Sequence, residues 1–140
     1  MCKKLKKTMT ESLEVSAIFP VSKQNLYEAW LDSEQHSLFT GGEAKISPVK
    51  DEKYTAWDDY ISGITLELEP FSRIMQTWRT TEFDNSDPDS MLEILFEEVS
   101  TGTKITLKHT EIPAGQSERY KNGWEEHYFE PMRIYFESKV

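Results

Sequence analysis

Cysteine is almost absent from this sequence, which contains one among 140 residues. A single thiol, Cys2, cannot close an internal disulfide, and this usage is typical of a reducing compartment. Long apolar runs are missing too, because polar residues interrupt every stretch before the ~18 residues that a transmembrane helix requires. No apolar segment follows the N-terminal lysines, as a signal peptide would require. We therefore predict no membrane span and a cytoplasmic protein.

Motifs for catalysis and metal binding are also scarce. The three histidines, His36, His109 and His127, fall on different predicted elements without a partner at helical i, i+4 spacing, which argues against a zinc site. There is no G-x-S-x-G motif and no phosphate-binding glycine loop. We therefore expect no metal, no cofactor and no enzymatic activity. The alternative is a site built on His109 and Glu111, which are both expected on one face of a strand.

Basic residues are outnumbered, with 16 Lys and Arg against 25 Asp and Glu and a net charge of −9. Four of the basic residues lie within the first seven positions: Lys3, Lys4, Lys6 and Lys7. The rest of the chain is more acidic still, and such a surface repels phosphate backbones, so we expect no nucleic-acid partner. We predict a flexible basic tail over residues 1–10 and a single domain over residues 11–140, a length that suits one core.

The spacing of apolar residues changes three times along the chain. Alternation over residues 13–19 predicts a first strand. Ser22 is then placed to cap a short helix, and Asp32 or Ser33 is placed to cap a second one. The spacing returns to two after residue 43, and it predicts further strands near residues 44–47, 54–57, 63–69, 74–81, 91–99 and 103–111.

After Pro113 the pattern becomes helical, and Ser117 is placed as the N-cap of a long final helix. Apolar residues recur at every fourth position: Tyr120, Trp124, Tyr128, Met132 and Phe136. A helix that runs to the end of the chain is about 36 Å long, enough to cross a whole sheet. Pro131 lies within it and is expected to kink it, because proline removes a backbone hydrogen bond.

These elements predict an α+β fold. Consecutive strands without intervening helices favour an antiparallel sheet of about six to seven strands, and two short helices follow the first strand. The apolar face of the sheet and the apolar stripe of the final helix each need a cover, and a twisted sheet curls. We therefore predict a helix-grip fold, in which the curved sheet wraps around the long C-terminal helix.

Several segments also resemble one protein family. The opening strand and helix contain Phe19-Pro20-Val21-Ser22 and Leu26-Tyr27-Glu28-Ala29-Trp30. The stretch that leads into the final helix and through its first half contains Ile112-Pro113-Ala114, Gly123-Trp124 and Tyr128-Phe129-Glu130. In order and spacing they resemble the C-terminal domain of the activators of the ninety-kilodalton heat-shock chaperone ATPase, over about residues 11 to 137. Pro131 departs from the family pattern, which commonly has glycine there.

This resemblance implies membership of the wider START-like and birch-pollen-allergen-like superfamily (SRPBCC), whose members often enclose an apolar cavity between sheet and final helix. The residues expected to line such a cavity are Trp57, Trp78, His109, Trp124, Tyr128 and Met132. The alternative is that the same side chains fill the core at native packing density.

Two functions are expected from the resemblance. The first is a non-catalytic domain that holds a small apolar or aromatic molecule, with a role in the stress response. The second is a co-chaperone that binds the heat-shock chaperone and stimulates its ATPase. We expect no counterpart of the N-terminal domain of the eukaryotic activators in these 140 residues, which weakens the second expectation. Because edge strands of an open sheet can pair, we expect a monomer or a weak homodimer.

Overall fold

The computed structural model describes residues 10–138 and has the predicted α+β, helix-grip architecture. The described strands are β1 (Thr10–Phe19), β2 (Lys53–Ala56), β3 (Ile61–Glu69), β4 (Arg73–Thr80), β5 (Ser90–Val99) and β6 (Gly102–Pro113). They form one antiparallel sheet in the order β1-β6-β5-β4-β3-β2, so β1 and β2 are its edges. The predicted basic tail lies outside the described residues, except for Thr10, which begins β1.

One predicted strand is corrected by the structure. Residues 44–47 do not form a strand, because Lys45 makes only an isolated bridge with Thr55 of the edge strand β2. Ser33 holds this segment from the other side, since its hydroxyl donates to the Ile46 carbonyl at 2.8 Å and accepts the Ile46 N–H at 2.8 Å. The alternating burial of Ala44 and Ile46 therefore comes from a loop that crosses the end of the sheet.

Two short helices follow β1, as the sequence predicts. Helix α1 (Lys23–Trp30) begins after Ser22, whose hydroxyl accepts an amide hydrogen bond of 3.1 Å from its first turn. Helix α2 (Ser33–Thr40) begins after Asp32, whose carboxylate accepts one of 2.9 Å. It ends at Gly41, where φ is 90°, a left-handed conformation that favours glycine.

Strand β6 contains an irregularity that changes the predicted site. Ile105, Leu107 and His109 alternate with exposed or half-buried residues and are fully buried. At Glu111 φ is 59°, and the next buried residue is Ile112 rather than Glu111. Left-handed backbone of this kind disrupts the two-residue repeat. The expectation that His109 and Glu111 share one face is therefore corrected, since Glu111 is exposed.

The final helix is not one continuous α-helix, contrary to the sequence prediction. It consists of α3 (Ser117–Gly123), a π-helical segment (Trp124–Phe129) and α4 (Glu130–Glu137). An α-helix turns about 100° per residue, so each four-residue step overshoots a full turn by about 40°. Over residues 120–136 this drift would reach about 160° in a continuous α-helix. The wider turns of the π segment take up part of this drift, and all five residues at this spacing are buried.

Pro131 lies in the first turn of α4, directly after the π segment. Its ring would collide with a preceding carbonyl in a regular helix, and it has no N–H to donate. The Glu130 N–H donates to the Glu125 carbonyl, five residues earlier, so the helix is already wide where the ring enters. The structure has a π segment directly before the proline, where the sequence predicted a kink. No helix within residues 10–138 has the length and apolar character needed to cross a bilayer.

The predicted cap of the final helix is also corrected. Gln116, not Ser117, is the N-cap residue, and its side chain makes no capping bond. The Ser117 N–H instead donates to Oε1 of Glu11 at 3.1 Å. A carboxylate from β1 therefore satisfies this helix terminus, where negative charge is also favoured by the helix dipole.

Candidate functional site

A cavity of about 540 Å³ lies between the start of the final helix and the part of the sheet formed by β3 and β4. Six aromatic residues line it: Trp57, Tyr60, Trp78, Tyr120, Trp124 and Tyr128. The remaining lining residues are Ile61, Gly123 and four polar residues, namely Arg119, Asn122, Glu126 and His127. The turn between β2 and β3, strand β4 and the final helix thus each contribute aromatic side chains.

The turn that carries Trp57 has an unusual backbone. Trp57, Asp58 and Asp59 have φ angles of 52°, 57° and 72°, so three consecutive residues other than glycine are left-handed. Such a residue costs about 1–2 kcal/mol in an L-polypeptide. Two bonds between the turn and Glu43 hold it, one from the Glu43 N–H to Asp58 Oδ1 at 3.0 Å and one from the Asp58 N–H to the Glu43 carbonyl at 3.0 Å.

The Trp57 ring is held in place by its neighbours. Gly42 lies directly against it, since a Cβ at Gly42 would approach Trp57 Cε3 to 2.7 Å. On the helix side, the ring meets His127 edge to face, with centroids 5.7 Å apart. The left-handed turn therefore directs this tryptophan against the final helix instead of leaving it in solvent.

A chain of hydrogen bonds fixes His109 behind the cavity wall. The Trp124 indole N–H donates to Nδ1 of His109 at 3.2 Å. Because Nδ1 accepts, the ring proton lies on Nε2, which donates to the Ser90 hydroxyl oxygen at 2.8 Å. The Ser90 hydroxyl donates in turn to the Trp78 carbonyl at 2.7 Å. Burial lowers the pKa of His109 to about 3, so the imidazole is neutral at pH 7.

A second buried histidine orients Tyr128. Nδ1 of His36 lies 2.8 Å from the Trp30 carbonyl, which only accepts, so the proton is on Nδ1. Nε2 therefore accepts from the Tyr128 hydroxyl at 2.8 Å. Burial lowers the pKa of His36 to about 4 and raises the pKa of Tyr128 well above its usual value. Both groups are neutral at pH 7, and Tyr128 also stacks on Trp30 with centroids 5.2 Å apart.

Tyr120 is fixed in the same way at the start of the helix. Its hydroxyl donates to Gln116 Oε1 at 2.6 Å and lies 2.7 Å from the Thr80 hydroxyl, which therefore donates to it. Burial raises the pKa of Tyr120 to about 12, so the phenol is neutral. At the edge of the cavity, Glu82 accepts from Arg119 at 2.7 Å and from the Tyr60 hydroxyl at 3.3 Å.

The structure brings four of the six predicted site residues together around the cavity. These are Trp57, Trp78, Trp124 and Tyr128. The other two, His109 and Met132, do not line it, and both are fully buried. His109 acts behind the wall by holding Trp124.

The structure also shows residues that the sequence prediction missed. His36 lies on the buried face of α2 with Phe39 and Thr40, three and four residues further along. This spacing is typical of one face of a helix, so it could have indicated from the sequence that His36 is buried. Tyr60 and Arg119 come from a turn and an exposed helix surface, where alternation gives no signal. Within residues 10–138, no group of three or more His, Cys, Asp or Glu residues could hold a metal ion.

Comparison with known proteins identifies the family. The family model described as activator of Hsp90 ATPase homolog 1-like protein matches residues 20–137. The chain is 25% identical to the human activator of 90 kDa heat shock protein ATPase homolog 1, over 93% of this chain and 38% of the relative, and 24% identical to the Dictyostelium discoideum homologue, over 94% and 34%. It therefore spans little more than a third of the length of these curated relatives.

Solved structures agree with this assignment. An HSP90 activator from Plasmodium falciparum superposes with a TM-score of 0.80 at 25% identity, covering 88% of this chain and 94% of that one. A protein from Mesorhizobium loti superposes with a TM-score of 0.79 at 17% identity, covering 93% and 99%, and supports the fold alone. Because the family model covers most of the chain, this protein belongs to the family of activator of Hsp90 ATPase homolog 1-like proteins.

Proposed function

We propose that this domain is a non-catalytic binding module that holds a small, largely apolar or aromatic molecule in the cavity beneath the final helix. The observation that carries the proposal is the cavity itself. Its volume of about 540 Å³ lies within the range of about 300–1,000 Å³ that is typical of ligand pockets. Six aromatic side chains line it, and such surfaces bury large apolar area.

The lining is held before any ligand arrives, which favours binding. Trp124, Tyr128 and Tyr120 each use their polar atom in a hydrogen bond to the protein. Locked side chains reduce the entropy lost on binding. A pre-formed cavity of this kind needs little rearrangement to accept a ligand.

The chemistry of the same residues favours binding over catalysis. General acid–base catalysis uses a group whose pKa lies near the working pH. The pKa of His109 is lowered to about 3 and that of His36 to about 4, and each ring uses both nitrogens in hydrogen bonds. Glu111, the predicted partner of His109, is exposed, whereas His109 is fully buried.

Gly123 offers a direct test, because it lines the cavity and a Cβ there has only His127 Cδ2 near it, at 4.0 Å. Replacing a helical glycine also favours the helix. We expect the wild type and Gly123→Ala to bind a neutral aromatic probe, neopentylbenzene, with Kd values within about twofold of each other. Gly123→Leu places a bulky side chain in the cavity and raises the Kd at least about tenfold.

Tryptophan fluorescence and ligand-observed NMR measure this binding, and circular dichroism checks the fold of each variant. Absence of binding to the wild type, or equal binding by wild type and Gly123→Leu, would contradict the proposal. If the expected difference is seen, native mass spectrometry of protein purified from its host would identify the natural ligand by mass.

A co-chaperone function is the second candidate, and family membership favours it. Relatives matched over nearly all of this chain are named activators of the 90 kDa heat shock protein ATPase. An apolar patch on the outer face of the sheet would add support. Among the described residues, however, the large exposed hydrophobics are Ile18, Leu38, Val49 and Ile134, and only Ile18 lies on a strand.

Calorimetric titration against the host's ninety-kilodalton heat-shock chaperone, with nucleotide present, tests this second candidate. Micromolar or tighter binding together with a raised ATPase rate would establish it. No binding at high protein concentration at two temperatures, together with an unchanged ATPase rate, would exclude it and leave the ligand-binding proposal unaffected.

A further inference from the structure

The inner wall of the cavity is formed by aromatic rings, and most of their polar atoms are already bonded within the protein. The indole N–H of Trp124 is bonded to His109, and the hydroxyls of Tyr128 and Tyr120 are bonded to His36 and Gln116. The Trp57 indole nitrogen is buried and has no partner in the described part of the chain. That nitrogen is a donor, so a ligand N–H buried against these rings would lose its bond to water and find no acceptor there, at a cost of several kcal/mol in apolar surroundings.

The rings of this wall are inclined to one another. Trp78 and Tyr120 meet at 78° with centroids 4.9 Å apart, and Trp124 and Tyr128 meet at 55° with centroids 4.8 Å apart. The face of an aromatic ring carries negative charge, so a cation among such rings is attracted without a hydrogen bond.

The charges near the cavity favour a cation over an anion. The only basic Lys or Arg residue of the lining, Arg119, is paired with Glu82 at 2.7 Å. Glu126 also lines the cavity, and it has no ion-pair partner among the described residues. Asp58 and Asp59 follow Trp57 in the turn, and the chain as a whole carries a net charge of −9. The negative electrostatic potential of these carboxylates raises the local concentration of cations and repels anions.

We infer that the natural ligand of this cavity carries a quaternary ammonium group, which lies among the six aromatic side chains. A quaternary nitrogen has a positive charge but no N–H, so it needs no acceptor among the buried rings. The carboxylate of Glu126, which is exposed, acts on it through its charge. A primary or tertiary ammonium group would bury at least one unpaired N–H. This inference rests on the proposed function, because it names the chemical class of the molecule that the same cavity holds.

Three probes of nearly equal shape separate charge from hydrogen bonding. Benzyltrimethylammonium is the cation, neopentylbenzene is its neutral isostere, and protonated benzyldimethylamine has the same charge with one N–H. At low salt and pH 7 we expect benzyltrimethylammonium to bind about tenfold more tightly than neopentylbenzene, because desolvated cation–π contacts are strong. We expect it to bind about tenfold more tightly than the tertiary amine as well, because a buried N–H is left unpaired there.

A pair of matched variants then locates the charge effect. Glu126→Gln raises the Kd of benzyltrimethylammonium about threefold and leaves that of neopentylbenzene unchanged, since only the cation senses the lost carboxylate. Glu137→Gln removes an exposed carboxylate at the far end of α4 and changes neither Kd. Added salt weakens the binding of the cation alone.

The outcomes distinguish this inference from the proposed function. Tighter binding of neopentylbenzene than of benzyltrimethylammonium overturns the inference and leaves a ligand-binding module in place. Equal binding of the quaternary and tertiary cations overturns it as well, since the wall then supplies an acceptor. If no probe binds, the proposed function fails together with the inference.

Discussion

At the scale of single residues, His109 determines how Trp124 is placed. His109→Phe keeps an aromatic ring in the core but removes the acceptor of the Trp124 N–H and the donor to Ser90. An unsatisfied buried donor costs about 1–3 kcal/mol, so we expect the free energy of unfolding to fall by about 2 kcal/mol. Urea unfolding at pH 7 measures it. The matched control, His127→Phe, changes an exposed histidine and should lower the free energy of unfolding by less than about 0.5 kcal/mol. Equal losses in the two variants would refute the role of His109 in placing Trp124.

The same residues show what the sequence could and could not predict about the site. Trp78 and Trp124 were predictable, because each stands at a core position of a regular repeat. The role of His109 was not, because its partners Ser90 and Trp124 lie 19 and 15 residues away. The contact of His36 with Tyr128 spans 92 residues. Such pairs depend on the tertiary fold and leave no local pattern in the sequence.

At the scale of elements, Pro131 tests the account of the final helix. Proline inside an α-helix costs about 3 kcal/mol relative to alanine. In this protein Pro131 follows a π segment and lies in the first turn of α4, where its missing N–H is tolerated. We therefore expect Pro131→Ala to change the free energy of unfolding by less than about 1 kcal/mol in urea unfolding. A gain near 3 kcal/mol would mean that the proline strains the helix, contrary to this structure.

The start of the final helix gives a second prediction at this scale. The hydrogen bonds from Ser117 and Gly115 lower the pKa of Glu11 below its usual 4.5. Glu11→Ala removes both the acceptor and the charge, so we expect faster amide hydrogen exchange over residues 117–120 than in the wild type. Glu11→Gln keeps an acceptor and should give an intermediate exchange rate. Glu14→Ala changes an exposed residue of the same strand and should leave the exchange rate as it is in the wild type. Equal exchange in all variants would argue that the bond does not hold the helix terminus.

Element types were predictable where a repeat is long and regular. Strands β4, β5 and β6 each alternate over eight or more residues, and their predicted centres are correct. The segment 44–47 has the same alternation over four residues, too few to distinguish a strand from a loop that buries every second side chain. The final helix has a repeat of four, which differs from 3.6, and this difference is the sequence signal of its π segment.

At the scale of the whole molecule, curvature connects the fold with the cavity. The short edge strand β2 and its strained turn bring Trp57 against the final helix, while β1 at the other edge holds the start of that helix through Glu11. The sequence predicted the grip, because the two apolar faces must cover each other. It could not predict a void of about 540 Å³, because packing density depends on how rings from distant segments meet.

The two buried histidines give the last prediction, which concerns the stability of the whole domain. Their folded pKa values of about 4 for His36 and about 3 for His109 lie below the usual 6.5. Below pH 6.5 the unfolded chain therefore binds protons that the folded state excludes, and stability falls as the pH falls. We expect the free energy of unfolding to decrease by about 3–4 kcal/mol between pH 7 and pH 5. Glu11 and Glu67 do not contribute to this decrease, because their lowered pKa values act only below about pH 4.5.

Urea unfolding at pH 7, 6 and 5 measures the slope, and His109→Phe should reduce it by about half. An unchanged slope in that variant would show that His109 takes up protons in the folded state, and the neutral relay that holds Trp124 would then be incorrect.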